Sequence, residues 1–168
     1  MENYYEIPQP ESIDNHSKEQ AMASYMMMFF SMAAGLPLPI INLIASFVYY
    51  SFTKKKGRFV HFHALQSLLS QIPLTILNSY AVIRIIIMLF TTSSFPAFSD
   101  AFIGYLITVG IFNLIYIIFS AIAAVKAYKG RMYYFIFFGR IAYHNTFRMK
   151  DEMMEDFGNP PRNAPPKM

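Results

Sequence analysis

The sequence feature that most constrains this chain is the stretch from Arg58 to Phe90, which contains no acidic residue. Its second half is apolar enough for a lipid environment, whereas its first half carries several polar side chains. On a helix of 3.6 residues per turn, those polar side chains fall on one side and the leucines and isoleucines on the other. Because a polar side chain in a membrane is costly unless it faces protein or water, this division predicts a helix with one buried face and one lipid-facing face.

The composition indicates an integral membrane protein. Apolar residues make up 55% of the 168 residues and charged residues 14%, against roughly 25% charged in a soluble domain. Asp100 is the only carboxylate between Glu19 and Asp151, and the basic residues flank the long apolar segments. The net charge of +4 therefore follows the positive-inside rule better than it fits a nucleic-acid interface. The absence of cysteine excludes disulfides and thiolate metal sites.

The chain divides into four predicted regions where its polarity changes. Residues 1–19 are acidic and interrupted by prolines, which predicts a disordered tail. Residues 20–128 are predicted to form the transmembrane helical domain. Residues 129–150 are basic and aromatic, which is typical of a segment at the inner membrane interface. Residues 151–168 are predicted to be a disordered proline-rich end.

The predicted fold is all-α, a polytopic membrane bundle with four transmembrane helices. Residues 20–53 would span ~50 Å as one helix, which exceeds a hydrocarbon core of ~30 Å. Gly35, Pro37 and Pro39 lie at the middle of this run, so a hairpin of two short helices fits better than one kinked span. The single span stays as the alternative. The four predicted helices cover about residues 21–34, 38–52, 63–90 and 101–125.

A basic loop of Lys54, Lys55, Lys56 and Arg58 follows the second predicted helix. Clustered basic residues in a short loop mark a cytoplasmic side, and they can also attract anionic lipid. With the hairpin both termini are cytoplasmic, whereas with a single first span the N-terminus lies outside. We therefore expect a multi-pass protein of the cell inner (plasma) membrane with a cytoplasmic C-terminus.

The candidate functional residues form a buried polar face. Asparagines on three predicted helices fall at similar distances from the basic ends of those helices, so we expect them to meet in the bundle interior. Such residues bond helices together, or alternatively line a hydrated groove or pore. The polar face comprises Asn42, His63, Gln66, Ser67, Ser70, Gln71, Asn78 and Asn113.

The residues indicate a protein without catalytic or cofactor chemistry. No nucleophile–base pair and no buried carboxylate dyad can be assigned, so we expect no enzyme activity and no cofactor. His61 and His63 point apart on a helix and lack a third ligand nearby, so no metal site is expected. The expected partners are the lipid bilayer and other membrane proteins or further copies of the chain, and not nucleic acid.

Three segments, LPLPIINLI, KKKGRFVHFHALQSLL and AIAAVKAYKGRMYYF, resemble the small bacterial membrane proteins related to the plastid Tic-twenty import component. The most specific part is the aromatic-x-x-x-Gln start of a helix, here Phe62 and Gln66. The resemblance implies a four-helix domain with both termini inside, acting in an inner-membrane assembly related to protein translocation. The alternative is a small oligomeric channel or solute permease lined by the polar face of residues 63–90.

Overall fold

The structure is a computed structural model and describes residues 4–29, 39–90 and 99–149. Within these ranges the chain is helical and has no β-strand, so the predicted all-α class is confirmed there. Two short 3-10 helices occupy Pro10–Ser12 and Met27–Phe29. The α-helices are α1 Asn15–Met26, α2 Pro39–Thr53, α3 Arg58–Phe90, α4 Asp100–Tyr128 and α5 Phe138–Phe147.

The two longest helices, α3 and α4, are the ones in the described ranges that are long and apolar enough to cross a membrane. Their most apolar windows are only 11% and 17% buried, which distinguishes them from the core helices of a soluble protein. In water, an exposed apolar surface of this extent would drive aggregation. The surface of α3 and α4 therefore indicates a membrane environment.

The prediction of four transmembrane helices is not confirmed. α2 lies within one residue of its predicted bounds, but its 15 residues are short for a span. α1 begins six residues before the predicted first helix, at Asn15, and its first turns are polar. It packs against both α3 and α4, where Ala21 and Tyr25 are fully buried. Residues 30–34 of the predicted first helix lie outside the described residues.

Residues 4–19 differ from the predicted disordered tail. The Asp14 side chain caps α1 by accepting hydrogen bonds from the Ser17 hydroxyl at 2.7 Å and amide at 2.8 Å, and this lowers the pKa of the Asp14 carboxyl. The Tyr5 amide donates to the Phe147 carbonyl at 2.8 Å, and the Arg58 guanidinium lies 3.4 Å from the Tyr5 ring centroid. The partners that order this segment are distant in sequence, which a local composition argument does not detect.

The core lies at the end of the molecule that carries the basic loop. Small side chains allow α1 and α4 to approach closely, since Ala21 packs in one cluster with Ala123, Ala124 and Ala127. α4 ends at Tyr128, and Gly130 just after it has a left-handed backbone conformation with φ 70°. The chain then turns back and packs over α3.

Residues 131–149, which follow α4, pack into the core as well as reaching the surface of the molecule. Phe135 is buried in the core, and α5 packs on α3 with Ala142 and Phe147 fully buried. Ile136 and Phe137 remain 78% and 75% exposed, which suits contact with the membrane interface. The packing of Phe135 against residues far away in sequence could not be read from the local pattern. The predicted proline-rich tail at 151–168 lies outside the described residues.

Candidate functional site

Gln66 connects three parts of the fold. Its Nε2 donates to the Tyr25 hydroxyl at 2.8 Å and to the Tyr133 carbonyl at 2.9 Å, and its Oε1 accepts from the Phe135 amide at 3.2 Å. The side chain is fully buried. A Cβ on Gly139 would lie 2.9 Å from Gln66 Oε1, so α5 approaches as closely as only glycine permits. Gln66 therefore holds α1, α3 and the returning segment together.

His63 extends this network. The Tyr25 hydroxyl accepts from Gln66 and lies 2.9 Å from His63 Nδ1. It has no other acceptor among the described residues, so its proton is assigned to Nδ1. The imidazole proton is then on Nε2, which is buried and has no hydrogen-bond partner. The ring packs edge-on against Phe59 and Phe62, at centroid distances of 4.6 Å and 5.0 Å. His63 thus acts as an acceptor inside an aromatic cage.

Two serines on the polar face bond to the backbone. Ser67 Oγ donates to the Ser24 carbonyl of α1 at 2.7 Å, and Ser70 Oγ donates to the Ser67 carbonyl at 2.9 Å. Gln71 Nε2 donates to Ser67 Oγ at 3.3 Å. Tyr116 of α4 contacts Ser70 Oγ at 3.3 Å. This part of the polar face therefore contacts α1 and α4.

The structure brings the three asparagines to one place. Asn78 of α3 and Asn113 of α4 exchange two amide hydrogen bonds, of 2.9 Å and 3.1 Å. Asn42 of α2 lines the same cavity of about 190 Å³ as this pair, together with Gln71 and Tyr116. All three asparagines are half-buried.

The basic loop and the two neighbouring histidines have separate environments. Lys54, Lys55 and Lys56 lie between α2 and α3, Arg58 begins α3, and all four side chains are exposed. His61 Nε2 lies 3.1 Å from the Tyr50 hydroxyl of α2. His63 instead contacts Tyr25 of α1, because side chains two residues apart point to different sides of a helix. Across the described ranges, no group of three His, Asp or Glu side chains is placed to hold a metal ion.

The polar residues of α3 are recognisable in the sequence, but their partners are not. Tyr25 lies in an apolar run of methionines and phenylalanines, where only its hydroxyl signals a role. Ser24 and Tyr133 contribute backbone carbonyls, which leave no trace in the sequence. The lack of a hydrogen-bond partner for His63 Nε2 likewise has no signature in the sequence.

The fold and the polar face of α3 together indicate the class of protein to which the chain belongs. Apolar side chains are exposed along α4 and on α3 from Ile72 to Phe90, while the polar side chains in the first half of α3 bond to protein. This is the arrangement of a helical membrane protein, because polar groups in lipid must be satisfied internally.

The family follows from sequence comparison. The sequence model of the magnetosome magnetite crystal formation protein family (MamF/MmsF) matches residues 17–142, well over half of the chain. The chain belongs to this family. No curated protein and no solved structure matches it.

This match shows that the resemblance to the Tic-twenty-like proteins is wrong. The segments that carried the resemblance are a proline-containing apolar turn, a basic loop before a helix and a basic helix end. Membrane insertion favours such features in many unrelated helical proteins. Short segments of this kind identify a membrane protein but do not identify its family.

Proposed function

We propose that the chain is a non-enzymatic, multi-pass membrane protein that contributes to magnetite crystal formation through contacts with other membrane proteins. Magnetite crystal formation is the role in the description of its family. The observation that carries the proposal is the outward-facing apolar surface of α3 and α4, which leaves both helices available to lipid and to neighbouring helices. Partners are proteins and lipid rather than nucleic acid, because the basic residues adjoin apolar helices.

The proposed location is the inner membrane of the cell. The proposed orientation has the basic loop and the C-terminus on the cytoplasmic side. Lys54 to Lys56 directly follow α2, and Lys126 and Lys129 lie at the end of α4 and just after it. Both sets lie at the end of the bundle where Arg58 meets Tyr5 and Tyr5 bonds to Phe147. This shared basic end supports a cytoplasmic assignment.

Two experiments test the proposal. Deleting the protein in a magnetite-forming host should change crystal size or number in electron micrographs, and re-expression of the full chain should restore them. Unchanged crystals would contradict the role. Purification of the tagged full chain in mild detergent should recover it with defined membrane proteins or as an oligomer, and recovery as a lone monomer would contradict the assembly.

A small oligomeric channel or solute permease is the second candidate. The cavity lined by Gln71, Thr75 and Asn78 favours it, because the same face of α3 would line a path. Gln66 and Ser67 bond to protein, so a path would use the outer part of the face. Single cysteines from 63 to 78 in this cysteine-free chain test the candidate. Aqueous thiol reagents should label positions 71, 75 and 78, and a complete lack of labelling there would exclude a path.

A further inference from the structure

The cavity between α2, α3 and α4 lies in the apolar part of the molecule. About 18 Å of helix separates Asn78 from the end of α3 at Phe90, so the cavity would lie near the middle of a ~30 Å hydrocarbon core. Four amide side chains and two hydroxyl side chains contribute its polar lining, namely Asn42, Gln71, Asn78, Asn113, Thr75 and Tyr116. None of the described residues that line it is charged.

Both NH protons of each amide in the pair Asn78 and Asn113 are engaged in hydrogen bonds. Asn78 Nδ2 donates to the Leu74 carbonyl and to Asn113 Oδ1, at 2.9 Å and 3.1 Å. Asn113 Nδ2 donates to the Val109 carbonyl and to Asn78 Oδ1, at 2.8 Å and 2.9 Å. An amide NH₂ has two protons, so both groups are saturated. Each carbonyl oxygen accepts one of these bonds and keeps a second lone pair.

Gln71 presents an oxygen without a partner. The Ser67 hydroxyl proton is committed to the Ser24 carbonyl, so Ser67 Oγ can only accept from Gln71. This fixes the amide orientation with Nε2 toward Ser67 and leaves Oε1 as the other polar atom. Gln71 is 3% exposed, and its buried Oε1 has no hydrogen-bond partner. A buried acceptor of this kind costs stability unless a donor or a cation satisfies it.

The direction of the Tyr116 bond can be assigned in the same way. Ser70 donates its proton to the Ser67 carbonyl, so the Tyr116 hydroxyl is the donor in its contact with Ser70. The asparagine pair and Gln71 therefore present acceptor oxygens to the cavity, and Gln71 Oε1 is buried without a hydrogen-bond partner. A ligand that satisfies this oxygen donates a hydrogen bond or carries positive charge.

We propose that this amide-lined cavity is a binding site for a small monovalent cation of the potassium or ammonium class. Neutral oxygens replace the hydration shell of such ions in membrane proteins. A divalent cation is disfavoured, because the described lining supplies no carboxylate to offset its charge. A volume of about 190 Å³ exceeds one ion and leaves room for several water molecules of ~30 Å³ each, which lowers the desolvation cost.

The inference deepens the second function proposed above, because it names the ligand class for the same face of α3. It requires binding and does not require transport. Saturable binding without cation flux in liposomes would therefore exclude the permease and leave the binding site standing.

The test measures thermal unfolding of the purified full chain in detergent. Ammonium or potassium chloride replaces N-methylglucamine chloride at constant ionic strength, since the large organic cation does not match a potassium or ammonium ion in size. A ligand that binds only the folded state raises the unfolding temperature with its concentration. We expect a saturable rise with the small cations, and a wild-type protein that responds equally to all three salts would overturn the proposal.

Two variants locate the site. Gln71→Met removes the unpartnered oxygen at similar volume and should raise the half-maximal cation concentration by about tenfold, which corresponds to ~1.4 kcal/mol. The double variant Asn78→Leu with Asn113→Leu removes the asparagine pair together, so neither partner is left unpaired, and should have the same effect. Asn145→Leu is the matched control, because the exposed Asn145 makes a similar bond to the Ile141 carbonyl within α5. Cation stabilisation that persists unchanged in both cavity variants would also overturn the proposal.

Discussion

Replacing Gln66 with leucine should release the C-terminal segment from the helical core. Leucine has a similar volume but cannot bond to Tyr133 or Phe135. The Tyr133 carbonyl and the Phe135 amide would then lose the Gln66 partner that satisfies them in the buried core. The Tyr25 hydroxyl would lose an incoming bond but would still donate to His63.

The magnitude follows from these two backbone groups. An unsatisfied buried donor or acceptor costs ~1–3 kcal/mol, so Gln66→Leu should lower the free energy of unfolding by about 2–6 kcal/mol. For a chain of this length each kcal/mol corresponds to ~2–4 °C, so the unfolding temperature should fall by at least ~4 °C. The effect should be largest in the segment that Gln66 holds.

Thermal unfolding in detergent and amide hydrogen exchange measure both effects. Exchange should accelerate at residues 131–137 in Gln66→Leu, because the Phe135 amide loses its acceptor. Asn145→Leu is the control, since it removes an exposed amide and should change stability by no more than ~0.5 kcal/mol. The reasoning is refuted if Gln66→Leu behaves like Asn145→Leu in unfolding temperature and in exchange at 131–137.

Three further variants test other contacts by thermal unfolding. Gly139→Ala should cost ~1–3 kcal/mol, because its Cβ would lie 2.8 Å from Tyr134 Cα, whereas Gly104→Ala, with nothing within 4 Å, should not destabilise; equal effects would argue against the close approach. Tyr25→Phe should cost ~1–3 kcal/mol by leaving His63 Nδ1 unpaired, and exposed Tyr128→Phe should be neutral. Asn78→Leu and Asn113→Leu should couple by ~0.6 kcal/mol in a double-mutant cycle, and additive effects would contradict their pairing.

The helices that carry strong periodic signals were predictable from sequence. α3 begins five residues before its predicted start and ends at Phe90 as expected, because its apolar second half and its polar side repeat with helical spacing. α2 begins at Pro39, and proline is common at the first position of a helix. The polar residues of α3 share one face of the helix in the sequence pattern, and the structure buries His63 and the residues from Gln66 to Gln71 on that face.

Contacts between distant segments were not predictable. Residues 4–19 look like a solvated tail, yet Tyr5 bonds to Phe147 and stacks under Arg58. α1 carries Lys18 and Glu19, which are typical of a polar tail, while Ala21 and Tyr25 within the next two turns are buried. Burial of this kind depends on which helices meet, and a single sequence does not state it.

The central claim is that α3 and α4 cross a bilayer, and cysteine labelling in sealed membrane vesicles tests it most directly. Lys56→Cys lies in the basic loop, Asp100→Cys begins α4, and Ile76→Cys lies on the exposed apolar face of α3. An impermeant maleimide should label positions 56 and 100 from opposite sides and should leave position 76 unlabelled. Labelling of positions 56 and 100 from the same side, or ready labelling of position 76, would contradict the account.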